Sequence, residues 1–294
     1  MPIGIAKDVS KQPEAKPVGM ANLPAPPVAP PGFTDDNKGV WIIRHGRTAL
    51  NKDGASAGTG DRIRGWRDVP LDEEGQKQAL EIAQWAVRLK PALIYTSNLQ
   101  RASFVASAIG QATGAPVKSD VAFRPWDVGH FSGQSSARVA PDLAKYVSTP
   151  DQPVPDGESF HNFAQRALGA FTHVMGQFLQ TKENILVVTH YRDLVLLLAW
   201  LKEKGLGVDG AEFGRNHTEI PTGTAVRFFP RGDTWDFEIV PETGAKVGVQ
   251  QQPQPSPAPP PVGLQRPSEK PPAKPVGVAP PPPARPPKPL GIAR

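Results

Sequence analysis

Three short, mostly apolar runs, VWII at 40–43, ALIYTS at 92–97 and NILVVT at 184–189, each give way to a polar break and then to a segment with helical character. Short runs of this kind, apolar without regular alternation, suit strands buried on both faces, and strands separated by helices suit a parallel sheet. This alternation constrains the chain more than any other feature. It predicts an α/β fold, a three-layer αβα sandwich with a mostly parallel central sheet. In open sheets of that kind ligands bind beyond the carboxyl ends of the strands. The first run breaks into Arg44, His45, Gly46, Arg47 and Thr48, so chemistry is expected there first.

The helices can be read in the same way. Asp72 reads as an N-cap before Glu73 and Glu74, and Ala79, Ile82, Ala83, Ala86 and Leu89 recur at helical spacing until Pro91. Ser97 to Gly110 predicts a helix with an apolar face of Leu99, Phe104, Ala108 and Ile109, which puts Arg101 in its first turn. Further helices are expected over Gly157–Gln180 and Asp193–Lys204. The runs 225–229 and 235–240 flank Pro230, Arg231, Gly232 and Asp233 and predict a hairpin, with the RGD word an ordinary turn. The stretch 117–155, rich in Pro, Gly and Asp, predicts a short strand, a loop across the active face and room for one helix. The loop 52–60 holds three glycines but lacks the spacing and the Lys-Ser/Thr ending of a phosphate-binding P-loop.

Proline marks the limits of this folding unit. Of 36 prolines, 8 lie in residues 1–38 and 17 in 250–294, which leaves 11 for everything between. The expected organisation is a disordered proline-rich arm over 1–38, a domain over 39–243 and a disordered basic proline-rich tail over 244–294. The ends lack the apolar density needed to offset chain entropy. The formal charge of +5 resides in residues 250–294, where six basic residues face Glu269 alone. The central domain is neutral by this count, so nucleic acid is not an expected partner. The arms share words: PIGIAK at 2–7 returns as PLGIAR at 289–294, and AKPVG at 15–19 recurs at 273–277. Such repeats are either peptide ligands for a protein partner or low-complexity drift.

The chain has no cysteine, which excludes thiol catalysis and thiolate metal sites. The segment MPIGIAKDVSKQ lacks the apolar core of a signal peptide, and the apolar run 194–201 is too short to cross a bilayer. The expectation is a soluble, cytoplasmic protein without membrane contact.

Placed at one edge of a parallel sheet, Arg44, His45 and Arg47, then Arg101, then His190 would converge from distant parts of the chain. Arginine forks and helix N-termini suit phosphate oxygens. The words RHGRT at 44–48, Asn51, GWRDVPLDEEGQKQA at 65–79, SNLQRA at 97–102, GES at 157–159 and VVTH at 187–190 resemble, in order, the motifs of the histidine phosphatase superfamily, also called the phosphoglycerate mutase-like family. The resemblance covers roughly residues 39–240. It implies a phosphomonoesterase in which His45 attacks phosphorus and becomes phosphohistidine, which water then hydrolyses. A neutral imidazole is a competent nucleophile for such a transfer. The resemblance also implies a phosphate pocket of Arg44, Asn51, Arg101 and His190, with Arg47 and Arg62 near the substrate, and neither metal nor cofactor.

The departure lies at the general acid. The family pattern resembles LREIDFGEWEG, whereas this chain reads FRPWDVGHFSG, with Pro125 at the glutamate position. Asp127, two residues on, is the candidate proton donor, His130 the competitor, and the absence of any catalytic acid the third possibility. The substrate is expected to be a small phosphorylated molecule or a phosphoprotein. A mutase is disfavoured because no segment resembles ERHYG. Pro125 keeps open a binding or structural protein that has lost efficient chemistry and works through its proline-rich arms. His161, His173 and His217 are expected at surface or packing positions, and Trp66, Trp126 and Trp200 as packing aromatics.

Overall fold

Strand β1 (Val40–Arg44) forms the middle of a six-stranded sheet whose other strands are β2 (Leu93–Thr96), β3 (Val117–Ser119), β4 (Ile185–Thr189), β5 (Ala225–Arg231) and β6 (Thr234–Val240). The computed structural model describes residues 20, 22–30, 38–51, 61–215 and 220–240. The strand order is β3-β2-β4-β1-β5-β6. The first four strands in that order are parallel, and the β5–β6 hairpin closes one side in antiparallel register. Gly232, at a φ of 64°, makes the turn that the RGD word was expected to be. Alternate side chains of β1 feed two cores. Trp41 and Ile43 join one layer with helices α1 (Glu73–Ala86) and α2 (Gln100–Thr113). Val40 and Ile42 join the opposite layer, which holds α3 (Ser136–Ser148), α4 (Phe160–Thr181), α5 (Tyr191–Lys202) and the short α6 (Gly210–Gly214). This is the three-layer arrangement that the alternation predicts.

The helix starts follow local chemistry. Asp72 accepts from the Gly75 amide at 2.8 Å, with Glu73 and Glu74 in the first turn of α1. Ser159 caps α4 by accepting from Asn162 N at 3.1 Å. The expected apolar face of α2 is corrected. Ala102, Val105, Ala106 and Ile109 are buried, whereas Phe104 is 45% exposed. The buried face of α1 is also small, with Ala79, Ala83 and Ala86, and small residues on both sides let two helices lie close together. The bulk of Phe104 was a misleading guide to which face points inward.

The expected arm over 1–38 is corrected in part. Residues 22–30 run along the domain: Trp235 Nε1 donates to the Pro27 carbonyl at 2.6 Å, and Ala29 is buried. Proline-rich chain is already extended, so little further entropy is lost when it is laid down. The repeated words at 2–7, 15–19, 273–277 and 289–294 lie outside the described residues, as does the expected tail.

What matters for the site is the register at the strand ends. Arg44 pairs with Thr189, and Thr96 pairs with Val188. Because β4 lies between β2 and β1, the residues just after all three strands meet on one edge: His45, Ser97 and, after β4, His190.

Candidate active site

His45 directly follows β1, with its amide donating to Thr189 O at 3.0 Å. Close backbone packing holds the loop that follows. A Cβ on Gly46 would lie 2.5 Å from Gly75 O, and one on Gly75 only 1.9 Å from Arg47 O. Two glycines thus let the His45 loop rest on the first turn of α1.

The His45 side chain is buried, and its Nδ1 lies 2.7 Å from Gly46 O. A carbonyl can only accept, so Nδ1 carries the proton and Nε2 keeps its lone pair. Burial and the positive charges of Arg101, Arg64 and Arg44 hold its pKa well below the usual histidine value. His45 is therefore neutral at pH 7. His190 caps α5, and its ring lies 5.1 Å from that of His45 at 64°. Arg101 Nε donates to His190 Nδ1 at 3.2 Å, which places the remaining proton on Nε2. That Nε2 is buried and has no hydrogen-bond partner among the described residues, a donor without an acceptor. Burial, then Arg101 and His45, keep His190 neutral as well.

Arg101 lies in the first turn of α2, as its spacing predicts. Besides His190 it holds Arg67 O at 2.7 Å and Gly65 O at 3.0 Å. Burial first, and then Arg64, push its pKa down to about 9. Arg44 donates to Ile220 O, lies 4.9 Å from the Tyr191 ring centroid, and has a buried Nε without a partner among the described residues. Burial and Arg64 bring it to about 10. A cleft of about 450 Å³ opens over this group, lined by His45, Arg64, Arg101, His190, Tyr191 and Arg192, with Ile63, Trp126 and Val128 as an apolar wall. Buried cations and unpartnered donors of this kind are built for an anion.

Not every expected residue arrives there. Asn51 accepts from Thr48 and donates to Asp61 at 3.1 Å, so it supports Asp61 and is not part of the cleft wall. Arg47 pairs with the N-cap Asp72 at 2.9 Å and is partly exposed. Arg62 donates to Gly133 O at 2.9 Å, and it is Arg64 that lines the cleft. The two arginines are two residues apart, and the chain turns at Gly65, with its φ of 50°, directly after Arg64. Asp127 is also off the wall: its Oδ1 accepts from Gly129 N at 3.1 Å, and its amide donates to Glu158. His130 packs against Phe131 and likewise does not line the cleft. The carboxylate that does line it is Asp61, which sequence reasoning passed over. Asn51, Arg64 and Ser136 all donate to it, Arg64 at a long 3.4 Å.

His161 pairs with Asp151, and His173 is exposed. His217 lies outside the described residues. Trp126 and Trp200 are core residues, as expected, although Trp126 also lines the cleft. Among the described residues no cluster of acidic or histidine side chains is placed to hold a metal ion, and no helix is long and apolar enough to cross a membrane.

Two neutral histidines and buried arginines at the carboxyl edge of an α/β sheet define a phosphate-handling class of protein. Residues 40–232 match the histidine phosphatase superfamily (branch 1), and the chain belongs to that family. It is 34% identical over 136 residues to the probable phosphoglycerate mutase GpmB of Cronobacter sakazakii, covering 45% of this chain and 60% of that one. It is 33% identical over 98 residues to a glucosyl-3-phosphoglycerate phosphatase of Mycolicibacterium vanbaalenii, covering 33% and 40%. The chain thus spans less than two thirds of the length of these relatives. Among solved structures, a mycobacterial glucosyl-3-phosphoglycerate phosphatase superposes with a TM-score of 0.55 at 22% identity, covering 69% of this chain and 98% of that one. A putative α-ribazole-5'-phosphate phosphatase from Escherichia coli gives 0.54 at 23%, covering 71% and 100%. At these identities the superpositions show the shared fold.

Proposed function

We propose that this chain is a phosphoric monoester hydrolase that works through a phosphohistidine on His45. The observation that carries the reading is the pair of tautomers. Gly46 O leaves a lone pair on His45 Nε2, and Arg101 leaves a proton on His190 Nε2, both beside one cationic cleft. In the first step His45 Nε2 bonds to phosphorus as the ester P–O bond breaks. Arg101 and His190 Nε2–H hold the non-bridging oxygens, whose charge rises in the transition state, and Arg44, which does not line the cleft, adds its positive charge nearby. In the second step water attacks phosphorus, the P–N bond breaks, and inorganic phosphate leaves with His45 neutral again.

Both steps move a proton: the leaving oxygen gains one, and the attacking water loses one. We assign that exchange to Asp61, the carboxylate on the cleft wall, in place of the expected Asp127. The substrate is a small phosphorylated molecule, consistent with the substrates for which the related phosphatases are named. A second reading, phosphate transfer within phosphoglycerate, is favoured by the GpmB relative. It predicts that turnover depends on a bisphosphorylated primer.

The test is hydrolysis of p-nitrophenyl phosphate by the wild type and His45→Ala, with acid-labile phosphate measured on the protein after rapid quenching. The wild type is expected to turn over and to carry acid-labile phosphate, and His45→Ala to do neither. Activity that survives in His45→Ala would overturn the mechanism.

A further inference from the structure

The segment that runs along the domain before β1 is buried in a repeat of three. Met20 and Ala29 are buried and Leu23 and Pro26 partly buried, whereas Asn22, Ala25 and Val28 are exposed. Three residues per turn is the period of polyproline II. Met20 belongs to the core that also holds α4 and α5, and Leu23 packs against that core. None of these residues lines the cleft over His45.

Two features of the domain are fitted to this segment. Trp235, in β6, donates from Nε1 to Pro27 O at 2.6 Å, and its ring meets that of Phe178 at 6.1 Å. Gly205, just beyond α5, has a φ of 79°, and a Cβ there would lie 2.2 Å from Pro26 Cδ. The missing side chain is what leaves room for the proline ring. An aromatic surface with a donor aimed at a backbone carbonyl suits proline-rich chain, which is extended in advance and makes no hydrogen bonds of its own.

The sequence supplies a second ligand for the same surface. The docked stretch reads PAPP at 24–27 and continues into VAPP at 28–31, and both words return, PAPP at 257–260 and VAPP at 278–281. Each chain thus carries two PAPP words, while one such groove is present among the described residues. Every copy has a ligand to spare. We infer that Trp235, Gly205 and Phe178 frame a docking groove for extended proline-rich chain, closed by residues 24–27 of the same copy and open to the PAPP word at 257–260 of a second copy when that segment lifts away.

The test uses full-length chains. The receiver carries Pro24→Gly, Ala25→Ser, Pro26→Gly and Pro27→Ser, which open the groove, and the same four changes at Pro257, Ala258, Pro259 and Pro260, which remove its spare word. Receiver labelled with fluorescein at its N-terminal amine is titrated with the wild type, and binding is read by fluorescence anisotropy. The wild type is expected to bind at least about tenfold more tightly than a chain changed only at 257–260. Trp235→Phe in the receiver is expected to weaken binding at least about fivefold, because the proline carbonyl loses its donor. Equal affinity for the two partners, or no effect of Trp235→Phe, would overturn the groove. Restoring the word at 257–260 in the receiver should leave wild-type binding within about threefold. A greater loss would show that the chain refills its own groove and would overturn exchange between copies. If the fourfold change at 24–27 prevents folding, Pro26→Gly alone loosens the same seat, and the same differences in affinity decide the outcome.

Discussion

Arg101→Lys is the most demanding test of the site as a built object. The guanidinium spans three acceptors: His190 Nδ1 at 3.2 Å, Arg67 O at 2.7 Å and Gly65 O at 3.0 Å. A lysine keeps the charge but presents a point donor on a flexible stem and cannot reproduce this fork. At least two of the three acceptors would lose their partner. At about 1–3 kcal/mol for each buried group left unsatisfied, the domain should lose about 2–6 kcal/mol of unfolding free energy. Urea denaturation followed by tryptophan fluorescence reads this as a lowered midpoint with an unchanged slope.

Catalysis should suffer separately. His190 would lose the bond that selects its Nε2–H tautomer, and the transition state would lose a fixed cation. Loss of one preorganised donor costs about 100- to 1000-fold in kcat. The tautomer can be followed directly, because the ¹⁵N shifts of imidazole nitrogens separate the protonated from the unprotonated one. The wild type should show His190 protonated at Nε2, and Arg101→Lys should show a mixture. A variant within threefold of wild-type kcat, with a stability loss under about 1 kcal/mol, would show that Arg101 is not the strut described above.

The remaining predictions concern neighbouring parts of the same machinery. Both histidines have pKa values held well below 6.5 in the folded state, so their neutral forms favour folding. That contribution is fully present above pH 6.5 and is lost as pH falls toward the folded-state values; urea midpoints of His190→Gln should decline less over this range than those of the wild type. Buried Asp193 has the opposite sign: its folded pKa is raised well above 3.8, so its contribution is present below 3.8 and is lost as pH rises through the folded value. Asp193→Asn should therefore stabilise the protein more at pH 8 than at pH 5, and the reverse order would contradict the burial argument. Gly75→Ala should cost about 1–3 kcal/mol and displace the His45 loop, because the new Cβ meets Arg47 O at 1.9 Å. It would be read by thermal unfolding together with kcat. Asp61→Asn should slow alkyl phosphates at least tenfold more than p-nitrophenyl phosphate, whose leaving group departs without a proton; equal effects on both would remove Asp61 from the proton path.

The difference between what the sequence revealed and what it hid is one of scale. Strand burial and helix caps depend on residues close together in the chain, so β1, β4 and the Asp72 cap could be read in advance. The convergence of His45, Arg101 and His190 followed from a topological rule, and the register of β1, β4 and β2 realises it. Asn51 ends a single 3-10 turn, and Arg62 and Asp127 lie on loops, where the direction of a side chain depends on one or two backbone angles. The chain turns at Gly65, at a φ of 50°, beside the cleft-lining Arg64, and a bond from Gly129 N keeps the Asp127 carboxylate at its own turn. Neither angle leaves a periodic trace in the sequence. Spacing along an extended strap was therefore a poor guide to reach.

The replacement of the expected acid by Pro125 takes on a different meaning in three dimensions. Proline has no N–H, yet its carbonyl still accepts, and here Pro125 O receives Trp66 Nε1 at 2.8 Å. Arg166 donates to Ala122 O and Arg124 O on the same strap and pairs with Glu158, whose Oε1 also accepts from Asp127 N. The strap is thus held from behind by a partly buried ion pair and presents Pro125 and Trp126 to the cleft as an apolar wall. A wall of that kind lowers the local dielectric and strengthens every charge interaction across the cavity from it. On the proposed mechanism, the strap that was expected to donate a proton instead intensifies the pull of Arg44, Arg64 and Arg101 on a phosphoryl group. In the mechanism proposed above the proton comes from Asp61, which also lines the cleft.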